Sequence, residues 1–162
     1  MNQSAMPAGA VESRVEPPDT VVDAVNRYMA ENGFSRAEYQ ASSVPVTAGP
    51  FTFQLPNGPS RQRAIAQHDI HHVITGYGTD FAGEAEIGAW ELRGGCTSAF
   101  LWAINLAAVA GGLILAPRRV LRAFRRARGA KTLYALGLLA SEVEGLSVEE
   151  LRRRVGVSAE RS

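Results

Sequence analysis

An all-α, single-domain helical bundle is the fold that the sequence predicts, and three observations carry the expectation. Apolar residues recur at helical spacing through most of the chain, and glycine, asparagine and proline fall between the runs as stops. Alternation of the strand type occurs at one place only, Phe51, Phe53 and Leu55. The 162 residues, 46% hydrophobic and 20% charged, are enough for one core and too few to make two domains the natural reading.

In chain order, residues 1–18 are rich in Ala, Ser, Pro and Glu and read as a disordered head lacking a signal or transit peptide, so the domain is expected over 19–157. Asp19 or Thr20 caps a first helix carrying Val21, Val22, Val25, Tyr28 and Met29, which stops at Asn32-Gly33. Ser35 to Tyr39 can add a turn. From Ala41 to Pro59 the Ser, Pro, Gly and Asn content predicts an ordered loop or short hairpin. Ser60 is expected to cap a second helix that ends near Thr75, before Gly76 and Gly78. Asp80 caps a third that ends at Gly94-Gly95.

Between Gly94 and Pro117 no residue is charged, and Phe100, Leu101, Trp102, Ile104, Leu106, Val109, Leu113, Ile114 and Leu115 dominate. This long apolar central helix is either a membrane span, with Arg118-Arg119 on its inner side, or a buried or lipid-contacting helix; Gly111-Gly112, Asn105, Thr97 and Ser98 favour the second. Pro117 opens an amphipathic basic helix with Val120, Leu121 and Phe124 on one side and Arg118, Arg122, Arg125 and Arg126 on the other. Leu133 to Glu144 reads as a further helical segment, and Ser147, with Glu149-Glu150 behind it, caps a closing helix that stops before Gly156.

Charge is divided unevenly. Through Arg93 there are 6 basic and 11 acidic residues, and after it 11 basic and 5 acidic, with seven of the fourteen positions from Arg118 to Lys131 cationic. That arrangement points to an anionic membrane surface as partner; no nucleic-acid motif accompanies it. The single Cys96 forms no internal disulfide, so a reducing cytoplasm is expected. Cys96, Trp90 and Trp102 read as core.

All three histidines lie between His68 and His72, on the second helix. His72 is one turn beyond His68 and about 40° round from it, so both rings can converge on one ion. Asp69, at the edge of that face, can be a ligand or the partner that holds an imidazole in one tautomer. The Gly76 to Asp80 turn makes the third helix an antiparallel neighbour, which lets Glu84 swing back toward His72, with Glu91 two turns further along the same face. His71 is required by none of this and reads as a surface residue. Two imidazoles and one or two carboxylates suit a divalent metal, zinc first, then iron, cobalt or manganese. A zinc peptidase would need Glu where Asp69 stands, and a His-Asp phosphohydrolase would need a histidine outside this cluster, which the chain does not have.

The pattern His68-Asp69-x-x-His72, eleven residues, Glu84 resembles the metal motif of the ubiquinone (coenzyme Q) biosynthesis protein 4 family. Its context is similar too: His72-Val-Ile-Thr-Gly-Tyr, Gly83-Glu84, Trp90-Glu91, and the close from Arg128 through Leu146-Ser147-Val148-Glu149-Glu150-Leu151-Arg152 to Val157. The stretch between Tyr39 and Arg61 is reduced by comparison, and Ala140 to Val143 carry small and aliphatic residues. The resemblance implies an all-helical homodimer, peripheral on the inner face of the bacterial membrane, that works with other quinone-biosynthesis proteins. It would bind a divalent metal through His68, Asp69, His72 and Glu84, and an isoprenoid-tailed aromatic lipid along the apolar helix. The activity implied is oxidative decarboxylation and hydroxylation of a prenylated aromatic ring. A paralogue acting on another lipidic aromatic, or a non-catalytic isoprenoid-binding scaffold with a structural metal, remains open beside it.

Overall fold

Most helices begin where a side-chain oxygen is present for the free amides of the first turn, as the sequence predicts. The computed structural model describes residues 19–35, 37, 39, 41–48 and 51–157; the head 1–18 lies outside them. Thr20 caps α1 (Val21–Asn32), and Gly33, with φ of 70°, ends it in the left-handed conformation that glycine adopts without strain. A two-stranded antiparallel hairpin follows, β1 (Ser43–Ala48) and β2 (Phe51–Pro56), with Val46 opposite Phe53 and Val44 opposite Leu55. The alternation at Phe51, Phe53 and Leu55 is therefore a strand, appended to an otherwise helical fold.

The helix α2 (Pro59–Thr75) starts two residues earlier than expected. Gly58 occupies the cap position without a side-chain bond and Pro59 supplies the first helical residue, so Ser60 is not the cap. Proline fits there because its φ is already helical and its missing N–H would be unpaired anyway. Asp80 caps α3 (Phe81–Gly94) through the Gly83 amide at 2.8 Å. Next come α4 (Ala99–Leu115), α5 (Pro117–Arg126), α6 (Leu133–Leu136), α7 (Ala140–Val143) and α8 (Val148–Val155). The segment expected as one run from Leu133 to Glu144 breaks into two short helices at Gly137, whose φ of 67° closes α6. Ser147 caps α8 as predicted.

Trp90, Ile70, Ile74, Ile87, Val120, Leu133, Leu151 and Val155 form the core. The chain ends are tied together: Val21 N–H donates to Leu146 O at 2.9 Å, and Val148 N–H to Asp19 O at 3.0 Å. Arg152 Nε donates to Ile74 O at 2.8 Å, and Gln67 Nε2 to Leu138 O at 2.7 Å. Both bonds anchor α2, the helix that carries the histidines, to the C-terminal third of the chain.

The apolar helix α4 is seventeen residues long, and among the described residues no helix is long and apolar enough to cross a membrane. It packs on α3 through its smallest residues. A methyl group on Gly112 would lie 2.2 Å from Ala85 Cβ, and one on Gly88 would lie 3.3 Å from the Asn105 carbonyl oxygen. The backbones meet at that distance because the contact stripe is Gly, Ala and Asn, so the large residues project the other way. Phe100, Trp102, Ile104, Leu106, Leu113, Ile114 and Leu115 are exposed, Ile114 by 81%. Trp102, expected in the core, lies outside it. On α5 the inward stripe is Val120, Ala123 and then Ala127 just beyond its end, spaced by three and four residues, which leaves Leu121 and Phe124 on the surface with Arg93 over the Phe124 ring.

Candidate metal centre

The turn between α2 and α3 determines how the two site helices meet. Gly78 and Gly83 are in backbone contact, so close that a methyl group on Gly83 would sit 2.1 Å from the Gly78 carbonyl oxygen. That contact draws the first turn of α3 against the end of α2 and sets Glu84 over His68 and His72. Antiparallel pairing then places Glu91, two turns on, beside His68 and His71.

His68 Nε2 lies 3.1 Å from His72 Nε2, and Glu84 is 3.6 Å from the first and 3.5 Å from the second. In a tetrahedral ion with bonds of about 2.0–2.1 Å the donor atoms are about 3.3 Å apart; the two imidazole nitrogens have about that spacing, and Glu84 stands over the pair with Oε2 toward His68 and Oε1 toward His72. The tautomers agree. His72 Nδ1–H donates to the Tyr77 carbonyl at 3.0 Å, and His68 Nδ1–H donates to Glu91 Oε1 at 2.9 Å. Both Nε2 lone pairs therefore point at the same space, the arrangement that carboxylate- or carbonyl-backed histidine ligands have around metals. Two lone pairs 3.1 Å apart repel unless a cation lies between them. In the metal-free chain that cation is a proton. Burial opposes charge on His68, but hydrogen bonds and charge from Glu84 and Glu91 outweigh it and push its pKa up to about 10. Burial and the charge of His68 together lower His72.

Of the four predicted ligands, His68, His72 and Glu84 have donor atoms within 4.8 Å of one another, and Asp69 is outside that group. Its carboxylate accepts from the Tyr39 hydroxyl, and burial, the largest influence, raises its pKa to about 6. Glu84 closes the group from the open side, with 43% of its side chain exposed.

No family model matches the chain, and no curated protein matches it either.

Behind the donors lies a polar network that the sequence reading did not assign. Glu91 is 0% exposed. Its Oε1 accepts from His68 and, at 2.7 Å, from His71 Nδ1–H, while Oε2 accepts from Asn105 Nδ2 of α4 at 2.8 Å. Tyr134 Oη, with one proton to donate, lies 3.2 Å from Glu91 Oε1 and 3.1 Å from the Ala64 carbonyl. His71, expected on the surface, is 0% exposed, and its Nε2 accepts the Leu133 amide at 3.0 Å. Burial holds His71 neutral, in the Nδ1–H tautomer that this geometry requires. For Glu91, burial alone would raise the pKa, but the bonds and charges of His68 and His71 hold it far below the usual carboxylate range. The signal for both residues is spacing: His71 is three residues after His68, so the two rings are neighbours on the helix, and Glu91 is seven after Glu84 on the facing one.

Aromatic rings continue from the site. Tyr28 stacks on His72 with centroids 5.5 Å apart and an interplanar angle of 23°. Phe34 lies 5.9 Å from Tyr28, and Tyr39 6.3 Å from Phe34.

Proposed function

We propose that this chain is a metal-dependent protein of ubiquinone biosynthesis, acting on a prenylated aromatic ring precursor at a membrane surface. The observation that carries the reading is the convergence of His68, His72 and Glu84 as a three-donor set with preset tautomers and an open side. A divalent ion held there, zinc first among those the donors suit, would polarise an oxygen substituent of a bound ring. His68 and His72 serve as neutral donors, Glu91 keeps the His68 ring turned toward the site, and Glu84 supplies the anionic third donor. The file of Tyr28, Phe34 and Tyr39 supports an aromatic substrate, since a flat ring gains offset or edge contacts against such faces.

The reaction class is replacement of a ring carboxylate by a hydroxyl. The carbon–carbon bond to the carboxylate breaks, carbon dioxide leaves, a carbon–oxygen bond forms and a two-electron oxidant is consumed. The exposed apolar residues of α4 and the arginines of α5 support a bilayer setting, apolar groups entering the interface and guanidinium groups meeting anionic headgroups.

The test pairs His72→Ala with Glu84→Gln. The expected result is a folded protein that still binds vesicles, has lost its metal, and no longer forms the hydroxylated ring in a host lacking that activity. Product formation without metal overturns the proposal. Loss of folding in both variants moves the assignment to a non-catalytic isoprenoid-binding scaffold with a structural metal.

A further inference from the structure

A cavity of about 440 Å³ lies on the α1 side of α2, away from the meeting point of His68, His72 and Glu84. Its volume is in the range of sites that take small organic ligands. Three elements wall it with apolar groups: Val25 and Met29 of α1, Ala66 and Ile70 of α2, and Ala140 of α7. Asp69, 4% exposed, is one of the lining residues, with its carboxylate bonded to Tyr39 of the same lining.

A carboxylate in such a place is costly unless donors satisfy it. Among the described residues Tyr39 supplies a hydrogen bond, and an ionised carboxylate has room for about four. Among the described residues the other charged side chains of the lining are Arg63 and Glu144, so one guanidinium stands against two carboxylates there. An anionic head entering the cavity meets net repulsion, whereas a hydroxyl or ammonium head meets an acceptor.

We propose that this cavity is a binding site for a small amphiphile with an apolar body and a hydrogen-bond-donating, non-anionic head that Asp69 receives. The site is separate from the metal centre and does not depend on the reaction proposed for it. Asp69, which the spacing of the sequence offered as a metal ligand, then serves ligand recognition on the neighbouring face of the same helix.

Calorimetric titration of the full chain with three matched probes, 1-nonanol, nonylamine and nonanoate below their micelle concentrations, tests the assignment. The alcohol and the amine bind one to one, and nonanoate binds at least tenfold more weakly. Asp69→Asn narrows the gap between amine and carboxylate. Ala66→Phe, which fills the cavity from α2, and Ala140→Leu, which fills it from α7, each weaken nonanol binding at least tenfold while metal content is unchanged, so a failure of the metal reading is scored separately. Equal affinity for the three heads, no binding, or binding that survives both fillings and so belongs to the exposed face of α4, overturns the proposal.

Discussion

Replacing Glu91 by Gln probes how the site is held, because it keeps the shape of the side chain and removes its charge. In the native chain Glu91 Oε1 accepts two imidazole N–H groups, at 2.9 and 2.7 Å, and Oε2 accepts the Asn105 amide at 2.8 Å. A glutamine carbonyl still accepts both imidazoles, but as a neutral group. Hydrogen bonds to charged partners contribute about 1.5–3 kcal/mol and neutral ones about 0.5–1.5, so two such bonds lose about 2 kcal/mol together. The glutamine NH₂ then faces Asn105 Nδ2, and Asn105 must turn its amide over to accept, which brings the expected destabilisation to about 2–3 kcal/mol. At about 2–4 °C per kcal/mol for a chain of this size, Tm falls by about 4–12 °C. Because the acceptor that holds the His68 tautomer becomes neutral and weaker, metal affinity falls about 10–100-fold. Differential scanning calorimetry and competitive metal titration measure the two quantities. Long-range ¹⁵N–¹H spectra read the His68 tautomer, which unfolding alone does not alter in the folded fraction. A variant with native metal affinity and an unchanged His68 tautomer would refute the role assigned to Glu91.

Metal binding near neutral pH should release about one proton per ion, measured by calorimetry in buffers of different ionisation enthalpy, because His68 carries a proton in the metal-free chain. The same shift has a sign for stability: a folded pKa of about 10 against 6.5 unfolded gives a contribution that is full below about pH 6.5 and lost as pH rises through 10, so the metal-free protein should lose denaturant resistance over that window. Gly83→Ala places a methyl group 2.1 Å from the Gly78 carbonyl oxygen, which the turn can relieve only by moving α3 away; we expect a loss of about 1–3 kcal/mol in denaturation, with weaker metal binding as Glu84 moves with it. Ile114→Glu with Leu115→Glu, at exposed positions of α4, should leave Tm nearly unchanged and abolish sedimentation with anionic vesicles.

The parts of the fold that were legible in the sequence are those set by local chemistry. Thr20, Asp80 and Ser147 each cap a helix because a short polar side chain reaches back to the first-turn amides, and Gly33 and Gly76 end helices because left-handed backbone favours glycine. The convergence of His68, His72 and Glu84 was legible for the same reason, a four-residue spacing on one helix and a short turn to the next. What the sequence did not reveal depends on which face meets which partner. Trp102 looks like core by hydropathy, yet α4 packs through Gly112 and Asn105, and small residues that allow close backbone approach carry no hydropathy signal. His71 looked dispensable because its partners, Glu91 and the Leu133 amide, lie 20 and 62 residues away. Asp69 sits at the edge of the ligand face, and helical angle alone does not decide between the metal side and the α1 side; Tyr39 does.

Elemental analysis and X-ray absorption on the purified full chain determine whether His68, His72 and Glu84 form a metal centre. One divalent ion per chain is expected, with two imidazole nitrogens in its first sphere at about 2.0–2.1 Å and oxygen donors completing it, lost on His72→Ala. Protein without stoichiometric metal after supplementation, or an ion with sulfur in its first sphere, would contradict it.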